Sequence, residues 1–148
     1  MASLERSVLI QAPVEMVFQC MDDPSNQPKI TSDSARIEDV EKLPGGGTQS
    51  SYVYKLGPGM EVKGQLTTSE YTPNERIVYD FSGGLQGNIW WLFEAVDDSS
   101  SRVTYKADYD LDMPLLGEAI SSLAAKFSET EVETQLANLK QLVEGKTA

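Results

Sequence analysis

Hydrophobic and polar residues alternate with a period of two along much of this chain. Val103, Tyr105, Ala107, Tyr109 and Leu111 interleave with Arg102, Thr104, Lys106, Asp108 and Asp110. Successive strand side chains point to opposite faces, so the pattern gives one aromatic, apolar face and one charged face. Upstream runs repeat it: Tyr52, Tyr54 and Leu56; Met60, Val62, Gly64 and Leu66; Ile77, Tyr79 and Phe81; Ile89, Trp91 and Phe93. Turn-forming clusters separate the runs: Pro44-Gly45-Gly46-Gly47, Gly57-Pro58-Gly59, Thr72-Pro73-Asn74, Gly83-Gly84 and Asp97-Asp98-Ser99-Ser100. They predict strands over 35–43, 48–56, 60–71, 76–82, 87–96 and 101–111, after a first strand at 4–10. Short links between consecutive strands imply an antiparallel meander.

The period turns helical near both ends. Pro13 opens a helix whose Val14, Val17, Phe18 and Met21 share one face, and Asp22-Asp23-Pro24 ends it. A second short helix is expected over 25–31. Met113-Pro114 introduces a long helix over 115–144. Its first half carries Leu116, Ile120, Leu123, Ala124 and Phe127 on one stripe, and its second half Val132, Leu136, Leu139 and Val143. At 100° per residue the second stripe is rotated by about a third of a turn. Ser128, Glu131 and Gln135 interrupt the apolar surface between them.

An aromatic concave sheet needs a cover, and the C-terminal helix is the one element long enough. A solid core is the plain outcome for most inward residues. Tyr and Trp, however, carry an O–H or N–H that needs a partner when buried, which favours a partly open pocket. Phe81, Trp91, Phe93, Tyr105 and Phe127 would supply apolar contacts, and Tyr54, Tyr79, Tyr109, Glu131 and Gln135 polar ones. Two placements stand for Glu131: exposed on a bent helix, or overhanging the cavity to bind a polar end of a ligand. In the second it is the candidate for an acid–base role.

Composition narrows the chemistry. At 148 residues and 40% hydrophobic, the chain reads as one domain over 1–148 that folds without disulfides or metal. A net charge of −11 argues against nucleic acid and against anionic lipid headgroups. The absence of histidine removes the commonest general base and metal ligand. Cys20, the single cysteine, excludes an internal disulfide and reads as a small packing residue. Neither a metal nor a cofactor is expected. No apolar run approaches the roughly 20 residues of a membrane span, and Met1-Ala2-Ser3-Leu4-Glu5-Arg6 lacks the features of a secretory signal. The expected compartment is the cytoplasm.

Several short motifs, in order, resemble one superfamily. They are Ala12-Pro13-Val14-Glu15-x-Val17-Phe18, Asp23-Pro24, Gly46-Gly47-Thr48, Pro73-x-x-Arg76-Ile77-Val78-Tyr79, Trp91-x-Phe93-Glu94-x-Val96-Asp97, Arg102-Val103-Thr104-Tyr105 and Leu139-Lys140-x-Leu142. With the element order, they resemble the START-like or SRPBCC superfamily, nearest its bacterial polyketide cyclase/dehydrase and lipid-transport group. The resemblance implies an α+β helix-grip fold: a seven-stranded curved antiparallel sheet around a long C-terminal helix, with two short helices between strands 1 and 2. A tryptophan frequent after the Asp-Pro break is replaced by Asn26-Gln27-Pro28-Lys29. The superfamily has no universal catalytic motif, so the resemblance implies a cavity rather than a reaction.

Three functions stand at this point. The first is binding or transport of a hydrophobic small molecule, such as a lipid, isoprenoid or polyketide, between sheet and helix. The second is a cyclase, aromatase or dehydratase that uses Tyr or Glu131 in place of histidine. The third is a homodimer through Trp90 and Leu92, which alternation puts on the outer face.

Overall fold

The structure, a computed structural model, describes residues 2–31, 35–57, 60–111 and 117–147. The side chains at 2, 24, 27, 28, 35, 56, 57, 60, 85, 109–111, 117–128, 146 and 147 also lie outside the description. The inward assignments of Leu56, Met60, Tyr109 and Leu111, and the first helical stripe from Leu116 to Phe127, fall there. So do the helix opening at Met113-Pro114 and the turn residues Pro58-Gly59.

Seven strands form one antiparallel sheet: β1 (Ala2–Ile10), β2 (Ala35–Lys42), β3 (Thr48–Gly57), β4 (Met60–Thr72), β5 (Arg76–Gly83), β6 (Leu85–Asp97) and β7 (Ser100–Leu111). Their order is β1-β7-β6-β5-β4-β3-β2. Strands β2 to β7 are therefore a plain meander, and β1 joins its far edge beside β7. Between β1 and β2 the chain crosses from one edge to the other through α1 (Val14–Asp22), a 3₁₀ turn (Pro24–Asn26) and α2 (Gln27–Ile30). Helix α3 (Gly117–Thr147) follows β7.

Register aligns the inward residues into rows. Ile77 faces Trp91, Trp91 faces Tyr105, Phe93 faces Val103, and Val103 faces Val8. Register shifts break the ladders of β2–β3, β3–β4, β4–β5 and β6–β7. Such bulges sharpen local twist and bend the strand, which curls the sheet. The β2 irregularity holds Asp39 at φ 54°. At Gly64 a Cβ would sit 1.8 Å from the Ser82 carbonyl oxygen and 2.5 Å from the Tyr52 hydroxyl. The missing side chain lets Tyr52 lie across β4 and donate to the Ser82 carbonyl at 2.9 Å.

The helix start differs by one position from expectation. Pro13 is the N-cap, in extended conformation at φ −60°, and Val14 is the first helical residue. Its carbonyl accepts from Val17 N at 3.2 Å. Buried Asn26 closes the other end of α1 by donating to the Cys20 carbonyl at 2.9 Å. Cys20 itself is buried.

The core lies between the inner sheet face, α1 and the C-terminal half of α3. Phe18 of α1 meets Phe93 edge-on, 5.1 Å between ring centroids. Val132, Leu136, Leu139 and Val143 of α3 are all buried, as their spacing predicts. Asn138 donates to the Ile30 carbonyl at 2.9 Å, and Lys140 to the Leu9 carbonyl at 2.8 Å, fixing α3 over α2 and β1. Buried Ser101 donates to the Ala12 carbonyl at 2.6 Å, tying the α1 entry to β7. Among the described residues no helix is long and apolar enough to cross a membrane.

Leu139 has no exposed surface. Leu139→Ala is therefore expected to cost about 2–5 kcal/mol, read from urea unfolding midpoints. Leu142→Ala, at a half-buried site on the same helix, should cost clearly less; equal losses would contradict this placement of α3.

Candidate functional site: a cavity under the C-terminal helix

The inner sheet face does not close on itself. A cavity of about 130 Å³ remains beneath α3. The sheet lines it with Leu4 of β1, Ile37 of β2, Tyr52, Val53 and Tyr54 of β3, and Leu66 of β4. Tyr79 and Phe81 of β5, Ile89 and Trp91 of β6, and Tyr105 and Ala107 of β7 complete that wall. Met21, Thr31 and the Glu131, Val132 and Gln135 of α3 close the other side.

Ten residues are expected at the site from sequence, and seven of these lie on the cavity wall: Tyr54, Tyr79, Phe81, Trp91, Tyr105, Glu131 and Gln135. Phe93 does not. It packs in the core beneath α1 against Phe18, away from the described lining. Strand alternation gives a face but not a depth along it, and Phe93 lies beyond the cavity's end. Tyr109 and Phe127 fall outside the described side chains.

Sequence reasoning missed Leu4, Met21, Thr31, Ile37 and Val53. Met21 lies on the apolar stripe of α1, which was a usable signal. Thr31 and Ile37 reach the cavity because of how the crossover from α2 to β2 is routed, which no local pattern encodes. Val53 stands between Tyr52 and Tyr54 and is also buried, against simple alternation.

The rings are fixed by one another. Trp91 and Tyr105 meet at 5.0 Å and 86°, and Tyr52 and Phe81 at 6.4 Å and 88°, both edge-to-face. Glu131 is buried, so the exposed placement is set aside. The Gln135 side chain, one turn along, donates to the Glu131 carboxyl at 2.8 Å. A polar pair thus interrupts an otherwise apolar helix face above the aromatic floor.

A second polar group lies beside the cavity. Tyr71 donates to the Asp22 carboxylate at 2.7 Å while packing edge-on against Phe18 at 5.6 Å. A small pocket there is lined by Met21, Asp22, Ile37, Val40, Gly47, Thr48, Ser50 and Tyr79. Burial, then the hydrogen bond to Asp22 and its charge, push the Tyr71 phenol up to about 12. Burial foremost, then Asp22 and Tyr71, raise Tyr79 as well. On the outer face the Lys106 ammonium sits 5.5 Å from the ring centre of half-buried Trp90.

An antiparallel seven-stranded sheet gripping a C-terminal helix over an aromatic-lined cavity defines a helix-grip protein of START-like class. The sequence profile described as polyketide cyclase/dehydrase and lipid transport matches residues 1–144, and the chain belongs to that family. Solved structures share the fold. TTHA0849 from Thermus thermophilus is 22% identical with a TM-score of 0.84, covering 99% of this chain and 100% of that one. The Zhui aromatase/cyclase from a Streptomyces species is 16% identical at a TM-score of 0.75, covering 99% and 96%. A START superfamily protein from Mycobacterium smegmatis is 14% identical at 0.70, covering 95% and 98%. At these identities the likeness establishes the fold. No protein with a curated description matches the sequence.

The raised phenols link this site to alkaline stability. A tyrosine whose folded pKa exceeds its unfolded value favours the fold fully below the unfolded pKa, and that contribution disappears as pH rises through the folded one. For Tyr71 the window runs from its ordinary 10.0 to about 12. The urea midpoint should therefore be flat from pH 8 to 9.5 and fall steeply above 10. Tyr71→Phe should flatten part of that fall; an unchanged slope would contradict the assignment.

Proposed function

We propose that the chain binds a small hydrophobic molecule, of lipid, isoprenoid or polyketide type, in the cavity between the sheet and α3. The observation that carries this reading is the void itself: about 130 Å³ walled by Tyr54, Tyr79, Phe81, Trp91 and Tyr105 and roofed by α3. An apolar cavity of about 150 Å³ stays dry and takes up benzene, so one ring or a short chain fits as the cavity stands. A larger guest has to displace lining side chains. A one-ring guest burying about 200 Å² gains about 5 kcal/mol before the costs of association, so its dissociation constant lies above about 0.2 mM. Membership of a family described for both cyclases and lipid transport supports an apolar guest.

Native mass spectrometry of protein taken from its own host tests whether a guest co-purifies. Tryptophan fluorescence titrated with small aromatics and short lipids tests uptake directly. Ala107→Leu places extra volume on the cavity wall. It is expected to weaken uptake at least tenfold, at a stability cost of about 1–3 kcal/mol. Uptake unaffected by Ala107→Leu, or no uptake of any probe, would remove the reading.

A second reading, cyclase or dehydratase chemistry on a polyketide-like substrate, is favoured by one feature. The buried Glu131 carboxyl faces the cavity beside Gln135. Positioning plus one proton-transfer group suffices for such steps. Incubation with a linear poly-β-ketone should then yield cyclised product in wild type and at least a hundredfold less in Glu131→Gln; full activity in that variant would end the Glu131 assignment.

A further inference from the structure

We infer that the guest carries a neutral carbonyl, taken by the hydroxyl of Tyr79. The inference rests on the cavity-binding reading and adds the polar chemistry of the ligand to it.

Tyr79 is 7% exposed and rises from the centre of β5, between Thr68 of β4 and Ile89 of β6. Its side chain borders both the large cavity and the small pocket beside Asp22. Other tyrosines of this region are already engaged. Tyr52 donates to the Ser82 carbonyl and Tyr71 to Asp22, and both Tyr54 and Tyr105 have partners. Among the described residues the Tyr79 hydroxyl makes no hydrogen bond. Nor is it sealed off, because no fully enclosed side-chain oxygen or nitrogen among the described residues lacks a partner. Its oxygen therefore keeps some accessible surface, on a side chain that borders both voids. A buried hydroxyl left unmade is unfavourable, and a guest group at that point removes the penalty.

The hydroxyl's role is that of a donor. Burial, Asp22 and Tyr71 all disfavour the phenolate, so near neutral pH the group offers a proton to an acceptor. The acceptor should be uncharged. The charged side chain that the described lining contributes is a carboxyl, Glu131, and a second carboxylate, Asp22, stands beyond Tyr79 in the small pocket. An anionic head would meet like charge in a poorly hydrated space. A ketone, ester or quinone oxygen would meet a donor. The small pocket, about 10 Å³, holds at most one water. That water is the competing partner for the hydroxyl.

Three one-ring probes of similar size separate these cases: ethylbenzene, acetophenone and benzoate, titrated at pH 7.5 by ligand-observed NMR. The affinity of acetophenone relative to ethylbenzene should fall about three- to tenfold in Tyr79→Phe, the value of one neutral hydrogen bond. Benzoate should bind wild type at least tenfold more weakly than acetophenone. Tyr79→Phe should melt at or above the wild-type temperature, because the deleted hydroxyl has no protein partner to lose. A relative affinity unchanged in the variant, a melting temperature lowered by several degrees, or benzoate binding as well as acetophenone would each overturn the inference. In those cases ethylbenzene uptake still stands, and so does the cavity reading. Failure of all three probes to bind would instead bring down the cavity reading and this inference with it.

Discussion

A curved sheet with large rings on its concave face has to be closed by something, and α3 closes it. The closure depends on four apolar side chains of the helix, Val132, Leu136, Leu139 and Val143, all buried. Each is worth about 1.5–3 kcal/mol. The polar ties around them are ion pairs, exposed at Arg6 with Glu129 and Glu133 and half-buried at Lys140 with Glu144. Such pairs contribute about 0–1 kcal/mol each. The apolar anchors therefore hold the roof, and the Arg6 pairs add a weak tie between α3 and β1.

The helix is anchored against β1, α1 and α2, and this leaves the void where the floor is aromatic. Edge-to-face rings prop one another at 5.0–6.4 Å and do not collapse inward. Apolar volume left unfilled costs stability. A sequence selected for stability alone would fill the space, for instance with larger residues at Ala107 or Val132. The arrangement of polar groups follows the same logic. Tyr52, Tyr54, Tyr105, Glu131 and Gln135 have protein partners, which permits aromatic and carboxyl groups to sit in a poorly hydrated site. Tyr79 is the exception, and its position between the cavity and Asp22 gives the site a direction.

The secondary structure was almost fully legible, because each strand carries its own period and each link its own turn residues. Expected and observed strand bounds differ by at most two residues at β1 and β6 and by about one elsewhere. The inward face was legible for the same reason: Tyr79, Trp91 and Tyr105 stand where alternation puts them. Alternation failed at Val53, buried although it lies between two inward tyrosines; at Phe93 it gave the inward face correctly, but the ring packs against Phe18 in the core. The short motifs spread over the chain carried the family, which the profile over residues 1–144 shares.

Periodicity along the chain thus decided the elements, their faces and the antiparallel order, since these depend on neighbours a few positions apart. Tertiary structure alone decided which inward residues line a void and which fill the core. It also chose between exposure and burial for Glu131, and it left Tyr79, among its neighbours, without a partner. Those outcomes turn on where α3 and the α1–α2 crossover land on the sheet. That landing is a sum of contacts between residues tens to more than a hundred positions apart, such as Ile30 with Asn138, and no local pattern records it.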